Sequence, residues 1–271
     1  MTRSWFGLVV GGIFSAANAR AETVPVPVAT TQVPGNPASP NPPERPFLFT
    51  VDPSLPVAGD VLLTAGMGNV TRTGEERPIG AGQLVPTLGA ELGLFSRLAI
   101  FAEAGVAFAS PQASLPSPGT VQAGAHVLFT DPASRSLRVA AQASYGRDFT
   151  GASSLRLNAT LAWNYELLRV AASVTAAHTF QPEADPVDFG ATLGACLRLP
   201  AGFRAGAEFV ATDAEEVIHP RAEGGAAAFA GPTVGWEWAD RFQIVAGPAI
   251  GVGPGTRNAA VFGRAAATLR F

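Results

Sequence analysis

The chain has 271 residues, 47% hydrophobic and only 14% charged, with a formal net charge of −3. After the N-terminal region no run of about 18 apolar residues appears, which excludes a bundle of membrane-spanning helices. The basic residues are all Arg and form no cluster, so nucleic acid is not an expected partner, and the single Cys196 excludes an internal disulfide.

Arg3 precedes an apolar, small-residue stretch from Trp5 to Ala17, followed by the A-x-A sites Ala17-Asn18-Ala19 and Ala19-Arg20-Ala21. This is the pattern of a cleaved secretory signal peptide, residues 1–21, with cleavage after Ala21. The apolar run is too short for an anchor, and no lipobox follows it. Residues 22–59 carry Pro25, Pro27, Pro34, Pro37, Pro40, Pro42, Pro43, Pro46, Pro53 and Pro56. Such a stretch lacks ladder donors and favours extended polyproline conformation, so it is expected to be a periplasmic linker. Within it Phe47, Phe49 and Val51 alternate, a pattern suited to docking at the mouth of the domain that follows.

From Asp60 onward, strand-like runs recur between turn signals. Twelve are expected, at 60–72, 82–95, 98–108, 120–130, 137–147, 154–165, 168–180, 186–199, 203–213, 225–238, 242–253 and 259–271. Each is long enough to cross a bilayer when tilted. Connections after the even strands are short: Ser96-Arg97, Asp131 to Ser136, Glu166-Leu167, Pro200 to Gly202 and Ala239 to Arg241. Those after the odd strands are mostly longer. The runs also have two faces. In the sixth, Leu155, Leu157, Ala159, Leu161, Trp163 and Tyr165 alternate with Arg156, Asn158, Thr160, Ala162 and Asn164. Trp163, Tyr165, Trp236 and Trp238 fall at strand ends next to short turns, where an aromatic girdle belongs. The last strand alternates too, with Val261, Gly263, Ala265, Ala267, Leu269 and Phe271 on one face.

This alternating final strand closed by Phe271, with the turn asymmetry, resembles the Gram-negative outer-membrane β-barrels. The resemblance covers residues 60–271 and is to the general, porin-like class. It implies an all-β fold, a transmembrane antiparallel up-and-down β-barrel of about 12 strands. It also implies export by the signal peptide, location in the outer membrane among its lipids, and recognition of Phe271 and Leu269 by the barrel assembly machinery.

Charge placement carries the functional content. The inward set holds Glu91, Glu103, Arg138, Arg156, Arg169, Asp188, Arg198, Arg204, Glu208, Glu237, Arg264 and Arg270. Arg138, Arg169, Arg198, Arg204 and Arg270 sit at periplasmic strand ends, Glu91 and Glu237 lie near that level, and Glu103 and Glu208 lie deeper. Charges there require water or partners. They form either a lattice of Arg–carboxylate pairs stiffening a filled lumen or a constriction ring for anionic or zwitterionic solutes. Three histidines bear on possible chemistry. His178 faces outward among apolar neighbours, and His219 lies in a loop beside Glu215 and Glu216. Aligning hairpins by their turns sets Glu103 across from His126, with Gln142 opposite and Ser144 diagonal, an acid–base–nucleophile set in form. No nucleotide, dinucleotide, C-x-x-C or H-E-x-x-H motif occurs, so neither cofactor nor metal is expected. The leading expectation is a non-enzymatic narrow channel for passive passage of small solutes. A closed structural or interaction barrel comes second and a barrel hydrolase third.

Overall fold

The computed structural model describes residues 45–70, 83–106, 119–132, 134, 136–148, 151–180, 187–212, 227–239, 241–252 and 261–271. The expected signal peptide, most of the Pro-rich segment, His219 and most of the long connections lie outside them.

Twelve antiparallel strands close into a barrel. They are β1 (Val61–Val70), β2 (Gln83–Phe95), β3 (Leu98–Val106), β4 (Gly119–Leu128), β5 (Leu137–Asp148) and β6 (Ser153–Tyr165). Then come β7 (Leu168–Thr179), β8 (Asp188–Arg198), β9 (Phe203–Thr212), β10 (Ala227–Trp238), β11 (Phe242–Gly251) and β12 (Val261–Arg270). Each strand pairs with its sequence neighbours, and β12 returns to β1. The seam runs from Leu62 opposite Arg270 to Val70 opposite Phe262. Reciprocal backbone bonds between Val61 and Phe271 finish it. Closure leaves no strand edge unpaired, as a bilayer interior demands.

The short connections fall where expected. Two residues link β2 to β3 and β6 to β7, and a 3₁₀ turn at Pro200–Gly202 links β8 to β9. Tight reversal places Glu166, Ala201 and Ala239 at positive φ. This end of the barrel, which also receives β1 and β12, is the periplasmic end by the loop-length rule.

The two faces separate as the alternation requires. Leu88, Leu157, Leu161, Leu193 and Val234 are exposed on the outside, where lipid would cover them, while Asn158, Thr160, Ala162, Ala171 and Ser173 are buried on the inside. Trp163 stacks on Tyr165 at 5.5 Å and Phe203 meets Trp236 at 6.5 Å. With Trp238, these rings form the aromatic belt of the periplasmic end. At the other end His178 meets Phe180 edge-on at 4.7 Å. It faces outward opposite Leu155.

Residues 45–59 correct the domain boundary read from sequence. They are not the tail of a linker: Phe47, Leu48, Pro53, Ser54 and Pro56 are buried against the inner wall of the barrel. The segment, here called the strap, belongs to the same unit as the strands, Pro40–Phe271. Its prolines have no N–H to satisfy and little conformational freedom to lose, so burying them is inexpensive.

Candidate functional site in the barrel lumen

Several inward side chains near the periplasmic end are small. Ala99, Ala140, Ala162, Ala171 and Cys196 are almost wholly buried there. They leave room at the level of the strap, and the strap fills it. The Phe47 ring packs with Ala162, Ala171 and Cys196. A Cβ on Gly194 would come within 2.6 Å of that ring. On the opposite wall, a Cβ on Gly93 would collide with the carbonyl oxygens of Pro56 and Val57. Both glycines serve the close approach of the strap.

Polar side chains of the wall bind the main chain of the strap. Glu208 of β9 accepts from three successive backbone N–H groups: Leu48 at 2.7 Å, Phe49 at 2.8 Å and Thr50 at 2.9 Å. Gln243 of β11 takes the N–H of Arg45 at 3.2 Å and donates to its carbonyl at 2.7 Å. At the base of the strap Gly59 and Asp60 exchange backbone bonds with Gly93.

Ion pairs hold it from several directions. Asp52 receives Arg169 of β7 at 2.5 Å. Ser54 Oγ accepts from Arg169 at 3.0 Å and from Arg138 of β5 at 2.8 Å. Arg45 pairs with Glu91 of β2, whose other carboxylate oxygen lies 3.5 Å from His126 Nδ1. Asp60 pairs with Arg270 of β12 at 2.5 Å. Arg264 lies over the Phe49 ring at 5.7 Å, a cation–π contact. A charge in a low-dielectric lumen is tolerable only with such partners.

The charged positions proposed for the lumen therefore fall into four situations. Arg138, Arg169, Arg270, Glu91 and Glu208 hold the strap. Arg204 and Glu237 pair with each other between β9 and β10. Arg198 is exposed at the end of β8, opposite Arg204 in register. Glu103 lines a cavity of about 210 Å³ beside the strap. His126, Gln142, Arg264 and Thr268 share that lining, and Thr50 of the strap faces it. The buried His126 Nε2 and Thr50 Oγ1 have no protein hydrogen-bond partner. Such groups need water or a polar solute in the cavity.

The acid–base–nucleophile set does not assemble. Glu103 stands opposite Gln122, and His126 opposite Ala99, four positions from the expected register. Gln142 does face His126, and Ser144, opposite Gly124, is diagonal to it as expected, so Glu103 is the displaced member. The acid beside His126 is Glu91. Sequence reasoning finds the wall residues and misses their ligand, because partners such as Gln243 lie 198 positions from the strap residue they bind. The available signal is an apolar run, Phe47 to Phe49, inside a Pro-rich segment. No cluster of metal-binding side chains occurs among the described residues. Phe271 and Leu269 are exposed on the outer face at the periplasmic end.

No family model and no curated protein matches the sequence. Solved structures share the fold. The KdgM porin has a TM-score of 0.54 at 9% identity over 78% of this chain and 99% of its own. The NanC porin has a TM-score of 0.53 at 9% identity, covering 77% and 98%. The COG4313 outer membrane channel from Pseudomonas putida F1 has a TM-score of 0.51 at 12% identity, covering 80% and 97%. The fold is that of Gram-negative outer-membrane β-barrels.

Proposed function

We propose that this chain is a narrow outer-membrane channel for passive passage of small solutes. The observation carrying this reading is a cavity of about 210 Å³, lined by polar and apolar side chains, in the lumen of a closed twelve-strand barrel. Its wall carries both signs, Glu103 and Arg264, with hydrogen-bonding Gln142, Thr268 and His126 between them. Mixed charge on a narrow path suits small neutral or zwitterionic solutes and disfavours strong selection of one ion sign. The solved barrels of like fold are described as porins and a channel, which supports the same reading. The register that parts Glu103 from His126 removes the acid expected of a hydrolase set, which supports a channel over a hydrolase.

The strap supports a second reading, a structural barrel with a closed lumen. It spans the periplasmic half of the lumen, and its ion pairs act as the stiffening lattice. Single-channel recording from the purified, folded chain separates the two. The channel reading expects small discrete conductance steps. A silent bilayer, from protein whose gel migration is heat-modifiable, would favour the closed barrel. Handling of the Leu269–Phe271 strand by the assembly machinery belongs to either reading.

A further inference from the structure

The contacts of the strap have an unusual composition. The wall reads its main chain as much as its side chains. One carboxylate, on Glu208, gathers three consecutive N–H groups, and one amide, on Gln243, brackets both polar groups of Arg45. Side-chain recognition is added by a slot for one aromatic ring, between Gly194 and Cys196, and by Arg138 and Arg169 for the hydroxyl and carboxylate of Ser54 and Asp52. Backbone bonds for affinity and side-chain pockets for choice are how proteins bind extended peptides. No β-ladder joins the strap to the wall, and residues 45–60 contain no strand of their own. The barrel closes by β1 to β12 pairing without the strap.

We infer that the lumen is a peptide-binding site, occupied in cis by residues 45–57 and able to take an extended peptide of the same pattern in trans. The ligand class follows from the wall: an aromatic residue, then three residues offering backbone N–H groups, then an acidic and a hydroxyl residue, ordered by prolines. Covalent attachment holds the strap at high effective concentration, so it competes strongly with any free peptide. Release of the strap would open the periplasmic half of the lumen. The inference goes beyond passage of solutes and does not depend on it.

Cys196 supplies the readout. It is a buried thiol, in no disulfide, in contact with Phe47. The test uses the full chain carrying Phe47→Glu and Asp52→Ala, which spoil the strap and leave the wall intact. Heat-modifiable migration verifies the barrel. A water-soluble maleimide should label Cys196 at least tenfold faster than in the unaltered chain. A synthetic peptide of residues 45–57 should restore protection, and the same peptide with Glu at position 47 should not. Cys196 staying as protected as in the unaltered chain would overturn the inference, and so would failure of the natural peptide to restore protection. Should the double variant not fold, Phe47→Ala in the full chain empties the aromatic slot and leaves the wall unchanged. It should likewise speed labelling of Cys196, with protection restored by the peptide, and unchanged labelling would count equally against the site. Conductance of the same samples is a separate reading: a silent barrel whose Cys196 is re-protected by peptide would sink the channel and leave the peptide site standing.

Discussion

Glu208 shows what one residue decides in this barrel. It is 4% exposed and sits halfway up β9, where an unpaired carboxylate would be prohibitive. Three strap N–H groups make it tolerable, and in return they are satisfied away from water. Glu208→Ala strands three buried donors at about 1–3 kcal/mol each before relaxation. We expect a clear loss of thermal stability in detergent, read by the temperature at which gel migration changes. An unchanged transition would mean that the strap is not held there. Asp52 and Arg169 form a similar pair, both nearly buried. Arg169→Gln alone should cost more than Asp52→Asn and Arg169→Gln together, because the single change leaves a buried carboxylate without its partner. Denaturant midpoints of the singles and the double give the comparison. Additive losses would argue against the pair.

Among the elements, the strands are legible in the sequence and the strap is not. Period-two alternation marks all twelve strands to within a few residues, because lipid and lumen impose opposite chemistry on successive side chains. The short turns set β4 against β5, so that Gln142 falls opposite His126 as expected. The long connection between β3 and β4 imposes no such constraint, and Glu103 is displaced by four positions. An even displacement keeps every side chain on its proper face, which is why the inward set survives while the constellation does not. The strap escapes because burial of residues 45–59 depends on Gly93, Gly194 and Glu208, all remote in sequence. At this scale the outer and inner faces make a direct prediction. Leu161→Arg, on the lipid face of β6, should cost about 2–4 kcal/mol. Gln142→Arg, which points into the cavity, should cost far less. Thr160 is a poorer inward control than the alternation suggests, since it is buried and bonded to Asn158 at 2.7 Å. Equal penalties at positions 161 and 142 would contradict the assignment of faces.

For the whole molecule, the closed sheet supplies the frame and the strap sets how much of the lumen is free. A twelve-stranded barrel is wider than the eight-stranded barrels that side chains alone fill and narrower than the larger porins. Here small inward residues leave part of that interior free, and a segment from outside the sheet takes much of it. Solute passage and peptide occupancy therefore draw on the same space. Single-channel recording of the unaltered chain beside the Phe47→Glu, Asp52→Ala chain, in the same planar bilayer, tests this most directly. The account predicts small or infrequent openings for the unaltered chain and steady, larger steps for the strap-released one. Equal conductance from both, with Cys196 exposed only in the second, would contradict the claim that the strap controls the free lumen.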